Sequence, residues 1–515
     1  MFNPKPVILP AVTAALLALA ACEDQSSPAG PEATATREAS LSASARIQGD
    51  LVYPMEEELA HFAKQIPGLG GFVFDGQGNL HVNILDMRHA EGARAALAPV
   101  ARDEARREGR STTPQVIVHQ GKYEFLQLAR WRQQMTAAVL ATPGVMYNGI
   151  AYRENRLVVG LVPAQATVAR ALVAAKLAEL GIPAAALIFD VGGPSTMAIC
   201  DPSDPNCQQD PCTTNPSDPS CSPDCSVDPT IEGCPEPMPG DGDISPVPDP
   251  NFNYSPTEPS YSYTEPPVVS LTSTLRPFLG AMMASNSKGS WCTIGFVVEY
   301  YGRRSFTSAS HCSNSLTWKD GTEWHQAAPQ SSTDYSRFVG REYADPSTDA
   351  FNGRYADVAI NELAIASSNA KLGYIARTKG GPATGATAIG PSIELDPYAP
   401  EIRIGGEGAL REAYYFEKIG VKTGWTRGKA GRPCQNISQY GRTWYCSTWL
   451  AAGADHGDSG APVFRSYLGG SCNCVYLVGA AFAKGKSGGV WVSPMSGIRR
   501  DFGAQGSQAY LLRTY

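Results

Sequence analysis

The sequence has no surplus of basic residues: 42 Lys and Arg stand against 49 Asp and Glu, a net charge of -7. That balance gives no electrostatic case for nucleic-acid binding, which depends on clustered positive charge. It also has no apolar run long enough for a spanning helix. Val7 to Ala21 is the candidate, and it falls short of the roughly 20 residues a bilayer requires. Its acidic, proline-rich stretch does not carry the spacing of an EF-hand loop, which excludes that calcium architecture. Cysteine, by contrast, is plentiful. The thirteen fall as Cys22, six from Cys200 to Cys234 and six from Cys292 to Cys474. Even sets within two segments, with one odd cysteine near the N-terminus, point to disulfides formed outside the cytoplasm.

The N-terminus agrees with export. Lys5 followed by the short apolar run reads as a signal peptide over residues 1–22. Its end, Leu19-Ala20-Ala21-Cys22, resembles a bacterial lipobox, which implies that Cys22 is lipidated after cleavage and holds the chain at a membrane surface. Cleavage by ordinary signal peptidase near the same alanines is the alternative. Residues 23–48, rich in Ser, Ala, Thr, Pro and Glu, read as a disordered tether.

Residues 49–191 read as a compact α+β domain. A helix over Met55–Ile66 precedes a hairpin (Phe72–Phe74, Leu80–Ile84) and a helix over Arg88–Glu108. The order continues as strand, helix, strand, strand, helix and strand to Asp190, a β-α-β-β-α-β sequence that predicts a ferredoxin-like arrangement. Its histidines, His61, His81, His89 and His119, are scattered, and no catalytic constellation or metal site is expected there. Residues 192–270 change character. Asp201–Cys207 is echoed by Asn215–Cys221, and the stretch is proline-rich and bears cysteines as far as Cys234, as in a stiff, locally stapled linker. Its aspartates offer Ca²⁺ oxygen ligands, but a solvated acidic linker is the favoured reading, so no cofactor is expected. The exposed stretch through Pro267 suits proteolytic separation.

Residues 271–515 are short β-like runs punctuated by Gly, Asn and Ser, which suits an all-β, two-barrel antiparallel fold. Three stretches in this segment carry chemistry. In Gly457-Asp458-Ser459-Gly460-Ala461-Pro462, Gly457 lets a peptide plane face a substrate carbonyl, and the amides of Gly457 and Ser459 are candidate oxyanion donors. A serine hydroxyl is a poor nucleophile at neutral pH and needs a base, which in turn needs an orienting group. His311, in Phe306-Thr307-Ser308-Ala309-Ser310-His311-Cys312 after the apolar run Ile294–Val298, is the candidate base. Asp357, in Arg354-Tyr355-Ala356-Asp357-Val358-Ala359-Ile360, heads an apolar strand and is the candidate orienting acid. Its rivals Asp334, Asp345 and Asp349 precede no such run. The order His, Asp, Ser differs from that of subtilisin and of α/β-hydrolases.

These motifs resemble those of chymotrypsin-like (S1) serine proteases, with Ser310 where the family usually has alanine. The resemblance implies a catalytic triad of His311, Asp357 and Ser459 and an oxyanion hole at Gly457 and Ser459. It further implies protein or peptide substrates. Tyr152-Arg153-Glu154-Asn155-Arg156-Leu157-Val158-Val159-Gly160 resembles a short pattern in the propeptides of streptogrisins and alpha-lytic protease, which implies that residues 49–191 assist folding and inhibit the enzyme. Cys292 with Cys312, and Cys434 with Cys446, are the disulfides expected on the resemblance, while Cys472 and Cys474 stay unassigned between a strained bridge and a redox or metal pair. Lys418–Gly428 resembles a strand and turn of the second barrel. Asp458 is expected to pair with an internal arginine, as in bacterial relatives, rather than with a freed N-terminus.

The substrate pocket is expected from Gly453, Ala454, Asp455 and Phe482, with His456 lining the cleft. Gly453 has no side chain where trypsin's basic-residue pocket needs an acid, so the expectation is a small or apolar P1 residue. Phe482 falls where the family often has a small serine. The sequence therefore points to a secreted or extracytoplasmic serine endopeptidase made as a proenzyme. Its membrane contact would run only through Cys22. The alternative is a surface-anchored binding or adhesion protein with a silent protease-like domain.

Overall fold

The computed structural model describes residues 50–107, 110, 113–192, 268–326, 337–366, 369–466, 474–485 and 488–515. The leader with Cys22, the tether, linker residues 193–267 with their repeat and aspartates, Asp334 and Cys472 lie outside them. No helix among the described residues is long and apolar enough to cross a membrane.

The N-terminal segment runs α1 (Glu57–Ala63), β1 (Leu69–Phe74), β2 (Leu80–Ile84), α2 (Ala90–Arg107), β3 (Val116–Gln120), α3 (Phe125–Leu140), β4 (Val145–Ala151), β5 (Arg156–Leu161), α4 (Ala166–Glu179) and β6 (Leu187–Val191). Asp75 closes the first hairpin by accepting the N–H groups of Gln77 (2.9 Å) and Asn79 (2.8 Å), which is why the turn forms where it does. The pairing differs from the ferredoxin-like expectation. β1 is antiparallel to β2 and β2 parallel to β3; likewise β4 is antiparallel to β5 and β5 parallel to β6. The chain thus makes a hairpin plus a parallel crossover twice, giving two separate sheets. The departure lies in β3: that arrangement would set it beside β5, but its pairing is with β2, while β4 pairs on its other side with a strand of the C-terminal segment, Gln435–Gln439, with Asn148 opposite Asn436 and Tyr147 opposite Ile437.

That shared sheet is backed by apolar packing. Met146, Tyr147, Ala151 and Val158 are buried in one cluster with Ile437, Trp444, Phe482 and Trp491. Polar contacts ring it: Arg432 reaches Asp190 at 2.7 Å and Glu154 at 3.1 Å, and Arg500 reaches Asp50 at 2.8 Å. Apolar burial outweighs these ion pairs in the adhesion, because partly exposed ion pairs each contribute at most about 1 kcal/mol.

The C-terminal segment is mostly β, and its α-helix Met495–Asp501 has seven residues. Its strands form two largely antiparallel systems. In the first, Val297–Tyr300, Arg303–Ser308, Ala359–Leu363 and Phe338–Ala344 lie side by side. In the second, Tyr415–Gly420, Pro462–Ser466, Cys474–Lys484 and Val490–Pro494 do so. Apolar residues at the centre of the first, Phe278, Phe306 and Trp324, meet edge to face with centroids 5.4 and 6.2 Å apart. Register then decides what is adjacent. Ser308 pairs with Ala359, so the residues following one strand and preceding the other emerge at the same end of the sheet. Those residues include His311 and Asp357.

Candidate active site

His311 sits in a single 3₁₀ turn, Ser310–Cys312, just past the strand Arg303–Ser308. Its Nδ1 is 2.6 Å from Oδ2 of Asp357, and its own backbone N–H donates to the other carboxylate oxygen at 3.0 Å. Two contacts from one acid hold both the ring and the backbone that carries it. On the far side of the ring, Nε2 lies 2.9 Å from Oγ of Ser459. The Asp357 side chain is wholly buried and that of His311 is 13% exposed, so the carboxylate is shielded while the imidazole keeps some access to solvent. The N–H of Asp357 donates to Oγ of Ser493 at 3.0 Å. With an acceptor on Nδ1, the neutral imidazole carries its proton there and presents a bare Nε2 to the hydroxyl.

Ser459 is held by a loop whose shape rests on two glycines with positive φ, +99° at Gly457 and +88° at Gly460. A side chain at Gly457 would also run into the ring of Trp291. The loop is stitched to the first sheet through Thr293, whose Oγ1 donates to the Gly457 carbonyl (2.8 Å) and whose N–H donates to the Ser459 carbonyl (2.9 Å). The carbonyls are thus turned away from the cleft. Among the described residues the N–H groups of Gly457 and Ser459 have no protein acceptor.

Asp458 points inward, and here the structure corrects the sequence reading. Its partner is Lys418 Nζ at 2.9 Å, not an arginine, and both side chains are essentially inaccessible. Thr423 Oγ1 (2.6 Å) and the N–H groups of Lys422 (2.9 Å), Thr423 (3.2 Å) and Asp455 (3.0 Å) complete the shell. A carboxylate that accepts this many donors stays buried at tolerable cost and anchors the turn.

The residues expected around a pocket are held by different neighbours. Gly453 is packed against the backbone of Ala388 and its carbonyl accepts from Thr426 Oγ1 at 2.8 Å. Ala454 is buried. Asp455 pairs with Lys484 Nζ at 3.0 Å, which holds its carboxyl below the usual range although partial burial opposes this. Phe482 turns into the buried cluster shared with Met146 and Tyr147, its ring 5.7 Å from that of Trp444, so it does not line an open pocket. His456 is exposed. Disulfides join Cys292 to Cys312 and Cys434 to Cys446. The first ties the strand Trp291–Thr293 to the turn that bears His311, and the second spans the hairpin that meets β4. Cys474 is disulfide-bonded as well. Of the rival acids, Asp345 is paired with Arg354 at 2.7 Å, and Asp349 caps its own loop through the N–H groups of Phe351 and Gly353.

Two neighbours of the site were not legible in the sequence. Tyr440, at a hairpin turn with φ +54°, sets its ring 4.9 Å from that of His311. The Tyr440-Gly441 pair signals a turn, but nothing local says which ring the turn will cover. The other is Glu342, beneath the loop after His311. It accepts the N–H groups of Asp320 (2.6 Å) and Gly321 (3.2 Å), and burial pushes its carboxyl up to about 7. An unfolded glutamate titrates near 4.3, so the folded form holds its proton to higher pH. Its cost is absent at low pH, grows as pH rises towards 7 and is full above that. Glu342→Gln should therefore raise the thermal midpoint at pH 8, by roughly 1–3 kcal/mol of stability, and leave it nearly unchanged at pH 4. Equal shifts at both pH values would refute the assignment.

No family profile and no curated protein matches the chain. Solved structures similar to it include Thermobifida fusca protease A (20% identity, TM-score 0.31), a Nocardiopsis protease (17%, 0.31) and a Cellulomonas bogoriensis chymotrypsin (19%, 0.30). Each match covers 46% of this chain and 97% of the other.

Proposed function

We propose that this chain is a secreted, chymotrypsin-like serine endopeptidase made as a proenzyme. One observation carries the proposal: a single imidazole contacts a buried carboxylate at 2.6 Å and a serine hydroxyl at 2.9 Å through its two different nitrogens. In this reading Ser459 Oγ attacks the scissile carbonyl as its proton passes to His311 Nε2. Asp357 keeps the proton on Nδ1 and stabilises the imidazolium that results. The oxyanion is received by the N–H groups of Gly457 and Ser459, which have no acceptor among the described residues. His311 then protonates the departing amine, the acyl-enzyme forms, and water reverses the sequence to release the acid.

Residues 49–191 are proposed as a propeptide that assists folding and inhibits the protease, and 192–270 as the linker cut on maturation. The sheet shared between β4 and Gln435–Gln439 supports that pairing of parts. Disulfides in the C-terminal segment support an extracytoplasmic location, and Cys22 is proposed as a lipid anchor before release.

The test is to incubate the purified protein with a denatured protein and a peptide library and to map new termini by mass spectrometry. Cleavage of internal peptide bonds, blocked by a fluorophosphonate, is expected. Intact substrates at every stage of maturation would favour a silent binding module instead. If maturation is autocatalytic, the Ser459→Ala precursor expressed alone stays full length, and normal trimming of it would refute self-processing.

A further inference from the structure

Behind the cleft lies a chain of buried polar groups that the reaction itself does not use. Ser310 is wholly buried; its Oγ donates to Asp345 Oδ2 at 2.7 Å and accepts the N–H of Thr317 at 2.9 Å. Asp345 Oδ2 also takes the N–H of Trp318 (3.1 Å), and its Oδ1 takes Arg354 Nη1 (2.7 Å). Arg354, itself buried, donates from Nη1 to the carbonyl of Pro346 and from Nη2 to that of Val358, each at 2.6 Å, and from Nε to Asp501 Oδ2 at 3.2 Å. Asp501 in turn accepts the N–H groups of Tyr355 (3.2 Å) and Ala356 (2.8 Å).

These bonds converge on two places. Ala356 and Val358 flank Asp357 on either side, so one guanidinium holds the acid's backbone from behind, directly at one flank and through Asp501 at the other. Ser310 immediately precedes His311, so Asp345 holds the base's backbone from the same side. Asp345 is common to both holds. We propose that Ser310, Asp345, Arg354 and Asp501 form a buried clamp that sets the separation of His311 from Asp357, with Ser310 as its joint to the base. These are positioning residues, because none of them touches the reacting atoms. The inference rests on the protease reading above and deepens it.

The geometry gives the clamp something definite to do. Asp357 must meet His311 twice, at ring and backbone, and a small displacement of either chain segment lengthens both contacts. Carboxylates and a guanidinium this deeply buried contribute little net stability compared with apolar residues of the same volume. Fixing a geometry is a use for them that apolar residues could not serve.

The experiment compares wild type, Ser310→Ala and Asp345→Asn in the full chain after maturation. Removing the joint should lower kcat about tenfold with KM little changed. The low-field proton signal of the His311 Nδ1–H should move or broaden, a readout that simple loss of stability would not alter in a sample that remains folded. Thermal unfolding identifies any variant that is not folded, and the other variant then decides. If wild type neither hydrolyses peptide nor reacts with a fluorophosphonate, the protease reading has failed. If wild type is active and the folded variants match it in kcat and in that proton signal, the clamp is refuted and the protease reading stands.

Discussion

Replacing Ser459 with alanine is expected to lower turnover by roughly 10⁶-fold, and His311→Ala should do the same. The reason is that neither group acts alone. In the proposed mechanism the Ser459 hydroxyl attacks only as its proton leaves, and the acceptor is Nε2 of His311, 2.9 Å away. Without the hydroxyl the base has nothing to activate, and without the base the hydroxyl stays protonated. The double variant should therefore be no slower than either single one, where independent contributions would multiply. Residual activity of about 10³-fold or more over water should persist, because the amides of Gly457 and Ser459 still receive an oxyanion formed by direct attack of water. Saturation kinetics on one peptide substrate checks all three variants. Multiplicative losses, or a Ser459→Ala enzyme within tenfold of wild type, would contradict the assignment.

The largest structural effect is expected at Lys418. Lys418→Met leaves Asp458 as an uncompensated charge in a site with 0% exposure at the lysine and 2% at the aspartate. Breaking a buried pair by removing one partner costs about 3–5 kcal/mol. The thermal midpoint should fall accordingly. Activity should fall further than stability alone explains, because Asp458 lies between Gly457 and Ser459, the two proposed oxyanion donors. If the carboxylate turns outward to find water, the Gly457 amide turns with it, and losing one such donor costs about 10²–10³-fold in kcat. Lys418→Met combined with Asp458→Asn removes the orphaned charge and should recover much of the stability. A single variant as stable and active as wild type would show that the pair does not hold the loop.

What could be read from the chain follows from where each signal lies. His311, Asp357 and Ser459 each sit in a short motif beside a strand, so their chemistry is visible locally, and the structure brings the three into contact. The partner of Asp458 was not visible, since Lys418 stands forty residues away on another strand and lysine or arginine would satisfy the same carboxylate. Phe482 is expected at the pocket only on the resemblance, at a position where the family often has a small serine. The side of the strand it faces is set by the cluster with Trp444 and Tyr147, which no local pattern contains. The N-terminal segment shows the same limit. Its helices and strands follow from periodicity and turn residues, but strand partners depend on which edge remains free. Here β3 pairs with β2 rather than β5, and β4 pairs with Gln435–Gln439, nearly three hundred residues further on. The Ser310–Asp345–Arg354 chain was hidden for the same reason, as each of its members reads locally as an ordinary polar residue.

The central claim is that imidazole makes one particular alcohol reactive. It is tested most directly by treating the matured protein and its His311→Ala variant with a fluorophosphonate and locating the adduct by mass spectrometry. The account predicts one phosphonyl group on Ser459 in wild type and negligible labelling in the variant over the same time. An unlabelled wild-type protein, an adduct on a different residue, or equal labelling without His311 would contradict it.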